Sequence, residues 1–347
     1  MGPKQIIGWD VGGAHLKAAW VAEGVVLKVL QLPCPLWKGV EHLRDAVNKV
    51  VAQLDFDADL HGVTMTGELA DNFANRTEGV AMISEIMAAR FGYDKVKIYT
   101  GLEGFVDPFG VAYAVEKIAS ANWLASACWV SKNYDSGLFI DIGSTTTDLI
   151  PFSKGQVLAK GFSDQERLRE QELVYTGVVR TPLMAITQRA PIKGEWVSLM
   201  AEHFATSADI YRILGELTES TDQYPAADDG EKTIAGSERR MARMLGMETD
   251  GSDQYEWHEL AQFFSEQQLR LIADACVRLL SRNELDNDTP LFGAGVGRFL
   301  VERLAERLDR PYIDINSLFE MSVEDEHVAA DCVPAVAVAL LAASAMN

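Results

Sequence analysis

The chain has 347 residues, 48% of them apolar and 24% charged, enough for a sizeable core and, at roughly 100–200 residues per domain, for two domains. Lys and Arg number 31 against 51 Asp and Glu, a net charge of −20, which argues against nucleic-acid backbones and anionic membranes as partners but leaves small phosphorylated molecules open. The four cysteines (Cys34, Cys128, Cys276, Cys332) form no C-x-x-C, so neither a disulfide framework nor structural zinc is expected, and a reduced, cytoplasmic setting fits best.

MGPKQIIGWD lacks the apolar region of a signal peptide. The opening reads as three short strands, Gln5–Val11, His15–Ala22 and Val25–Leu32, separated by Gly12-Gly13 and Glu23-Gly24 turns. A helix pattern covers Val40–Leu54, followed by a strand at Gly62–Thr66, a helix at Thr77–Phe91 and a strand at Val96–Tyr99. A long helical stretch is expected from Pro108 to about Trp129. At Asp135 the chain starts again, with strands at Leu138–Ile142, Thr146–Phe152 and Gln156–Lys160. Residues 163–283 read as mostly helical, with the strongest amphipathic runs at Trp196–Leu217 and Leu260–Arg282. Alternation then returns as strand Pro290–Phe292, helix Arg298–Leu308, strand Tyr312–Ile315 and a final apolar helix, Ala329–Ala345. The apolar run within that helix is too short to span a bilayer. The divisions drawn are 1–134, 135–330 with a helical insert at about 163–283, and 331–347 packing back on the first domain.

Three motifs carry chemistry. In Gly8–Lys17 (GWDVGGAHLK), Asp10 ends a strand and Gly12, Gly13 and Ala14 form a tight turn whose backbone N–H groups can approach a phosphate. Asp10 can offer an oxygen to a hydrated magnesium ion; an ordinary hairpin is the alternative. Asp141–Asp148 (DIGSTTTD) has the same grammar, with Asp141 as the strand-end carboxylate and Gly143, Ser144, Thr145 and Thr146 as the turn. Asp10 and Asp141 are therefore the expected metal ligands, and two such turns facing one another would share a metal–phosphate group. The third motif, Leu291–Arg298 (LFGAGVGR), follows a strand and opens a helix. Arg298 replaces the last glycine of a dinucleotide fingerprint, so Gly293, Ala294, Gly295 and Gly297 read instead as a surface for a nucleoside or another flat group. Arg298 is a candidate for a phosphate or carboxylate, or a plain surface arginine.

Together these motifs resemble the phosphate 1, phosphate 2 and adenosine motifs of the sugar kinase, heat-shock 70 and actin superfamily. The resemblance implies an α/β, two-domain actin-like ATPase fold with helical enlargement of the second domain. Within that superfamily the chain resembles the hydantoinase/oxoprolinase-related proteins. Met65–Asp71 (MTGELAD), Glu172–Gly177 (ELVYTG) and Phe204–Arg212 (FATSADIYR) are similar to the tetrahydromethanopterin-linked C1-transfer family and its methanofuran-biosynthesis synthase. That resemblance implies a transferase of methylofuran or methanofuran biosynthesis. It would join an aminomethylfuran carrying a methyl (di)phosphate to the phenol of a tyrosine- or tyramine-type acceptor, form an ether and release (di)phosphate.

The residues suit such chemistry. Leaving oxygens need charge neutralisation from N–H turns, magnesium and a lysine; Lys17 stands beside the first turn, either at the phosphates or facing solvent. The phenol, with a free pKa near ~10, needs a base, and Glu68, Asp148 and Asp209 are the candidates, each equally able to cap a helix or settle a turn. His15 reads as a strand residue, and His61, His203, His258 and His327 show no zinc-ligand spacing. Trp123, Trp129, Tyr175 and Phe204 read as core aromatics or as stacking partners for a furan or phenol. No P-loop, nucleophile elbow or protein-kinase signature occurs. An ATP-dependent kinase or hydantoinase-like ATPase binding ATP or ADP is the competing enzyme reading, and an actin-like assembly protein the non-enzymatic one. A homodimer is left open.

Overall fold

The computed structural model describes residues 4–54, 56–249, 254–322 and 328–345. The chain divides into two compact units. One comprises Met1–Gly137, Phe152–Leu158 and Asp314–Asn347, the other Leu138–Pro151 and Ala159–Ile313. The divisions thus fall at Gly137 and Ile313 rather than at 134 and 330, and a short piece after residue 151 goes with the first unit.

The first unit opens as the alternation of its residues dictates, with antiparallel strands β1 (Gln5–Val11), β2 (His15–Ala22) and β3 (Val25–Pro33). Helix α1 (Glu41–Leu54) buries Leu43, Ala46, Val47, Val50 and Leu54, one face at helical spacing. Strand β4 (Leu60–Met65) pairs parallel with β1. Helix α2 (Arg76–Phe91) starts at Asn75, whose side chain accepts the Glu78 N–H at 3.0 Å. Strand β5 (Val96–Tyr99) pairs with β4, and β6 (Phe105–Val106) closes the edge, giving the order β3-β2-β1-β4-β5-β6. Ile7, Trp9 and Val11 share a core with Val47, Val50, Ile83 and Met87 of the two helices.

The long helix expected from Pro108 is broken. It resolves into a 3-10 segment at Pro108–Tyr113, a single turn α3 (Val115–Ile118) and α4 (Asn122–Asn133). Ser120 interrupts it with a φ of 52°, a conformation no helix interior accommodates.

The second sheet is built from β7 (Ser136–Ile142), β8 (Thr147–Ser153) and the two-residue β9 (Gln156–Val157). The third strand expected to run to Lys160 stops early, because the Lys160 and Gly161 N–H groups turn to the Glu172 carboxylate. After α5 (Asp164–Glu170), β10 (Leu173–Val174) takes the place beside Thr147 and Asp148 instead. A short helix α6 (Leu183–Ile186) leads to a hairpin, β11 (Arg189–Ile192) and β12 (Glu195–Ser198). The helix expected from Trp196 is therefore strand at its start. Lys193 and Gly194 both have positive φ, 49° and 81°, the turn that joins two-residue hairpins. Helices α7 (Ser207–Ile213), α8 (Ile234–Met244) and α9 (Gln254–Leu280) complete the insert. Strand β13 (Leu291–Ala294) pairs parallel with β7, and α10 (Arg298–Arg307) and β14 (Tyr312–Asp314) finish the order β10-β8-β7-β13-β14. Leu138, Ile140 and Ile142 share a core with Leu260, Phe264 and Ile272 of α9 and Leu300 and Leu304 of α10.

The final helix, α11 (Val333–Ala345), returns to the first unit and packs on β1, β2, β4 and α4. Gly8 and Gly62 admit it. A Cβ on Gly8 would lie 2.0 Å from the Ala335 carbonyl, and one on Gly62 would lie 3.0 Å from that of Val338. The described residues include no helix long and apolar enough to cross a membrane.

Two like turns as candidate phosphate-binding sites

The two Asp-x-Gly turns have the same hydrogen-bond geometry, one in each unit. In the first, the Gly12 N–H donates to the His15 carbonyl at 3.0 Å; in the second, Gly143 donates to Thr146 at 2.9 Å. In both, the aspartate stands two residues before the glycine, at the end of the sheet's central strand. All seven residues Gly12, Gly13, Ala14, Gly143, Ser144, Thr145 and Thr146 are half-buried. Among the described residues, no backbone carbonyl accepts the N–H of Gly13, Ser144 or Thr145, and the space where a Gly13 Cβ would sit is open. Turns with unspent N–H groups are suited to anions.

The first turn is backed by its own hairpin and by β4. Cys34 N–H donates to Ala14 at 2.8 Å, Leu36 N–H to Gly13 at 3.0 Å and Thr66 N–H to Val11 at 3.0 Å. Asp10, 5% exposed, lies in a cross-strand row with Lys17 on β2 and Thr64 on β4, so the three side chains share one sheet face. Lys17 Nζ donates to the Asp331 carbonyl at 2.9 Å, just before α11. Thr64 is fully buried and its hydroxyl has no hydrogen-bond partner among the described residues. Sequence reasoning missed it, since a threonine in a strand carries no signal by itself.

Glu68 follows immediately. A Cβ on the preceding Gly67 would lie 3.1 Å from the carbonyls of Gly12 and Val11, so this segment lies directly against the first turn. Glu68 is fully buried, and Ser120, the residue that breaks the expected helix, donates its hydroxyl to Oε1 at 2.9 Å.

The second turn is backed from further along the chain. Val178 N–H donates to the Gly143 carbonyl at 3.0 Å, and Val179 and Arg180 both donate to Ser144, at 3.1 and 2.9 Å. Gly177 makes this approach sterically allowed: its Cβ would lie 2.4 Å from the Thr145 nitrogen. Behind it, the Gly177 carbonyl accepts from Ser207 Oγ at 2.7 Å, Gln268 Nε2 at 2.8 Å and Thr181 Oγ1 at 3.0 Å.

The glycines of the third motif are explained by packing. Gly293 is covered by the Tyr312 ring, Gly295 by the Asp141 carboxylate and the Ile142 carbonyl, and Gly297 by the side chains of Ile142 and Val178. Gly297 N–H also bonds the Ile142 carbonyl at 2.8 Å. The glycines of the motif thus let it pack closely against the Asp141 strand end. Ala294 is buried opposite Asp141, and Arg298 folds back onto the Gly295 carbonyl at 3.1 Å.

Two of the three base candidates are engaged elsewhere. Asp148 pairs with buried Arg167 at 2.5 Å. Asp209, 2% exposed, caps α7 through the Thr206 N–H and accepts from Arg240 Nε and Nη2 at 2.9 and 2.8 Å and from Ser237 at 2.7 Å.

His61 is a core residue. It takes the Trp9 indole N–H at 3.1 Å, stacks on Phe91, and burial pushes its pKa down to about 3. His15 is a buried strand residue, and His327 lies outside the described residues. All four cysteines are buried and outside any disulfide; burial raises the thiols of Cys34 and Cys276 to about 11 and about 12. Trp123 is buried, Trp129 lies against Phe319, Phe204 packs on the second core, and Tyr175 is 68% exposed. Among the described residues, no three His, Cys, Asp or Glu side chains gather as a metal group.

Residues 59–323 match the hydantoinase/oxoprolinase family. The chain is 30% identical, over 84% of its length and 86% of the relative's, to the (4-{4-[2-(gamma-L-glutamylamino)ethyl]phenoxymethyl}furan-2-yl)methanamine synthase of Methanocaldococcus jannaschii. It is 39% identical to the enzyme of that name from Methanococcus vannielii over 26% of this chain and 41% of the relative. Among solved structures, nucleotide-free acetone carboxylase covers 97% of this chain and 70% of its own at a TM-score of 0.56 and 10% identity, a likeness of fold alone. The fold is the two-domain actin-like one, and the chain belongs to the hydantoinase/oxoprolinase family and, within it, to that of the furan-methanamine synthases.

Proposed function

We propose that this protein is an alkyl-aryl transferase that joins an aminomethylfuran-methyl (di)phosphate to a tyrosine- or tyramine-type phenol, glutamylated forms included. The observation that carries the reaction class is the identity with the synthase across 84% of the chain, whose printed name describes a phenoxymethylfuran ether. The reading is supported by the two turns, in which the N–H groups of Gly13, Ser144 and Thr145 meet no backbone carbonyl among the described residues, each beside a strand-end aspartate.

In this reading the phenol gives its proton to Glu68, the phenolic oxygen bonds to the furfuryl carbon, and the carbon–oxygen bond to phosphate breaks with its electron pair on (di)phosphate. Glu68 is favoured because its segment lies against the first turn, while Asp148 and Asp209 are held by arginines. The Gly12–Ala14 and Gly143–Thr146 turns would hold phosphate oxygens, and Lys17 would keep positive charge beside Asp10. Magnesium fits the donor set, since it binds through one or two carboxylates and completes its shell with water and phosphate; Asp10 and Asp141 would hold it. When bound it would neutralise charge on the leaving oxygens.

The test is a mass-spectrometric product assay with magnesium, the furan diphosphate and a tyramine-type phenol, with and without ATP. Ether is expected without ATP. Asp10→Asn and Asp141→Asn should each lower its rate by roughly 10²–10³, the cost of losing one element of leaving-group stabilisation, with melting temperature unchanged. ADP formation without ether would replace this reading by an ATP-dependent small-molecule enzyme. That second reading is favoured by the fold shared with acetone carboxylase, which carries out an ATP-dependent carboxylation.

A further inference from the structure

A cavity of about 510 Å³ lies within the first unit, and no residue of the two turns and neither strand-end aspartate lines it. Four stretches close it: the end of β5 with the loop into β6, the last turn of α4, the Gly155–Val157 turn into β9, and the C-terminal turn of α11. Its volume is that of a small-molecule site, roughly 300–1,000 Å³. Three of its glycines, Gly101, Gly104 and Gly155, have φ of 66°, 87° and 76°, a backbone that favours residues without a side chain. A Cβ at Gly104 would meet nothing within 4 Å. The bends that shape this wall thus also keep it from being filled.

The surface is apolar at its base and cationic at one side. Tyr99 and Cys128, both buried, line it with the thiol beside the phenol, and burial raises both groups above their ordinary values, so this wall carries no charge. Phe105 stands edge-on to Tyr99 with ring centroids 5.4 Å apart and is itself only half-buried. Leu102 is 63% exposed. An exposed leucine alone is ordinary; here it borders the same hollow as a partly uncovered ring. Lys132, exposed in the last turn of α4, is the one charged side chain of the lining and joins no ion pair among the described residues. The neighbouring carboxylate, Glu103, is taken by Lys117. In a chain with 51 acidic residues against 31 basic ones, a lone cation at a cavity selects for an anion.

We propose that this cavity binds a small aromatic carboxylate, its ring against Phe105, Leu102 and the Tyr99–Cys128 wall and its carboxylate at Lys132. The site is independent of the reaction assigned to the two turns.

The test is a calorimetric titration of the full chain with naphthoate and with its uncharged counterpart, naphthylmethanol. Methyl NMR on the same samples follows Leu102, Val157 and Leu341 of the lining, with Leu43 and Val47 of α1 as references. Naphthoate should saturate, shift the three lining methyls and leave the references in place. Lys132→Gln should weaken naphthoate about two- to fivefold, the range of an exposed ion pair, and leave naphthylmethanol unchanged. Phe105→Leu should weaken both about three- to tenfold, the share of an aromatic contact beyond its buried area. Melting temperatures should agree across the set. No saturable binding, or binding that leaves the lining methyls unmoved, would overturn the site. Equal affinity for the acid and the alcohol would overturn its assignment to a carboxylate.

Discussion

The two Asp-x-Gly turns are alike in their internal bond and unlike in what stands behind them. The first is held by residues of its own hairpin and the adjacent strand: Cys34, Leu36 and Thr66. The second is held by a loop some 35 residues on, which is in turn fastened by Ser207 and by Gln268, 91 positions from the carbonyl it grips. A local support forms with the strand it serves. A remote support makes the turn depend on the whole helical insert, so the insert's packing and the turn's geometry are one property.

The sharpest way to break this comparison is through Asp209. It is the hub on which Arg240, Arg212 and Ser237 converge, and it caps the helix that carries Ser207 and Tyr211. Asp209→Ala takes from buried Arg240 one of its two carboxylates, leaving Asp228 at 3.1 Å, and with the lost helix cap should cost up to roughly 3 kcal/mol by denaturant unfolding. Hydrogen exchange should rise at Ser144–Thr146 and stay level at Gly12–Ala14; equal change at both turns would contradict the division into local and remote support.

A smaller effect compares two glycines. A Cβ at Gly177 meets backbone at 2.4 Å, whereas one at Gly67 meets first the far end of Leu36 at 2.8 Å, a side chain able to shift. Gly177→Ala should destabilise by roughly 1–3 kcal/mol as overpacking does, and Gly67→Ala by less. The reverse order would mean that the second turn yields more easily than the first.

The last effect, small over any single pH unit, concerns pH and belongs to the first unit. The folded chain holds His61 neutral down to about 3, against an ordinary 6.5. Between those values the unfolded chain binds a proton that the folded chain refuses. Stability should therefore fall as pH drops below about 6.5, by up to about 1.4 kcal/mol per unit, and be flat with respect to this group above it. His61→Phe should remove that slope in urea titrations at stepped pH.

What was legible in the sequence follows the same local–remote distinction. The turns, their aspartates and the restart of the strand pattern are short-range features and were readable residue by residue. Gln268, Thr181 and Ser207 were not, because their partners are set by packing between distant segments. The long helix placed over Pro108–Trp129 failed at Ser120, whose left-handed backbone no propensity marks. The helix placed from Trp196 overlooked a real signal, the Lys193-Gly194 turn. The arginine partners of Asp148 and Asp209, Arg167 and Arg240, lie 19 and 31 positions away and were not legible either.

The return of α11 to the first sheet has a consequence for how the protein is made. Residues 333–345 cover one face of β1, β2 and β4, which leave the ribosome some three hundred residues earlier. At synthesis rates of about 5–20 residues per second, the half of the molecule translated first waits tens of seconds for its last layer, with the strip around Gly8 and Gly62 open to solvent. The second unit, Leu138–Pro151 and Ala159–Ile313, is fully translated before α11 and can close meanwhile. The first to emerge is the last to be finished, and the bare sheet face of that interval is where a nascent chain of this kind is most in need of a chaperone.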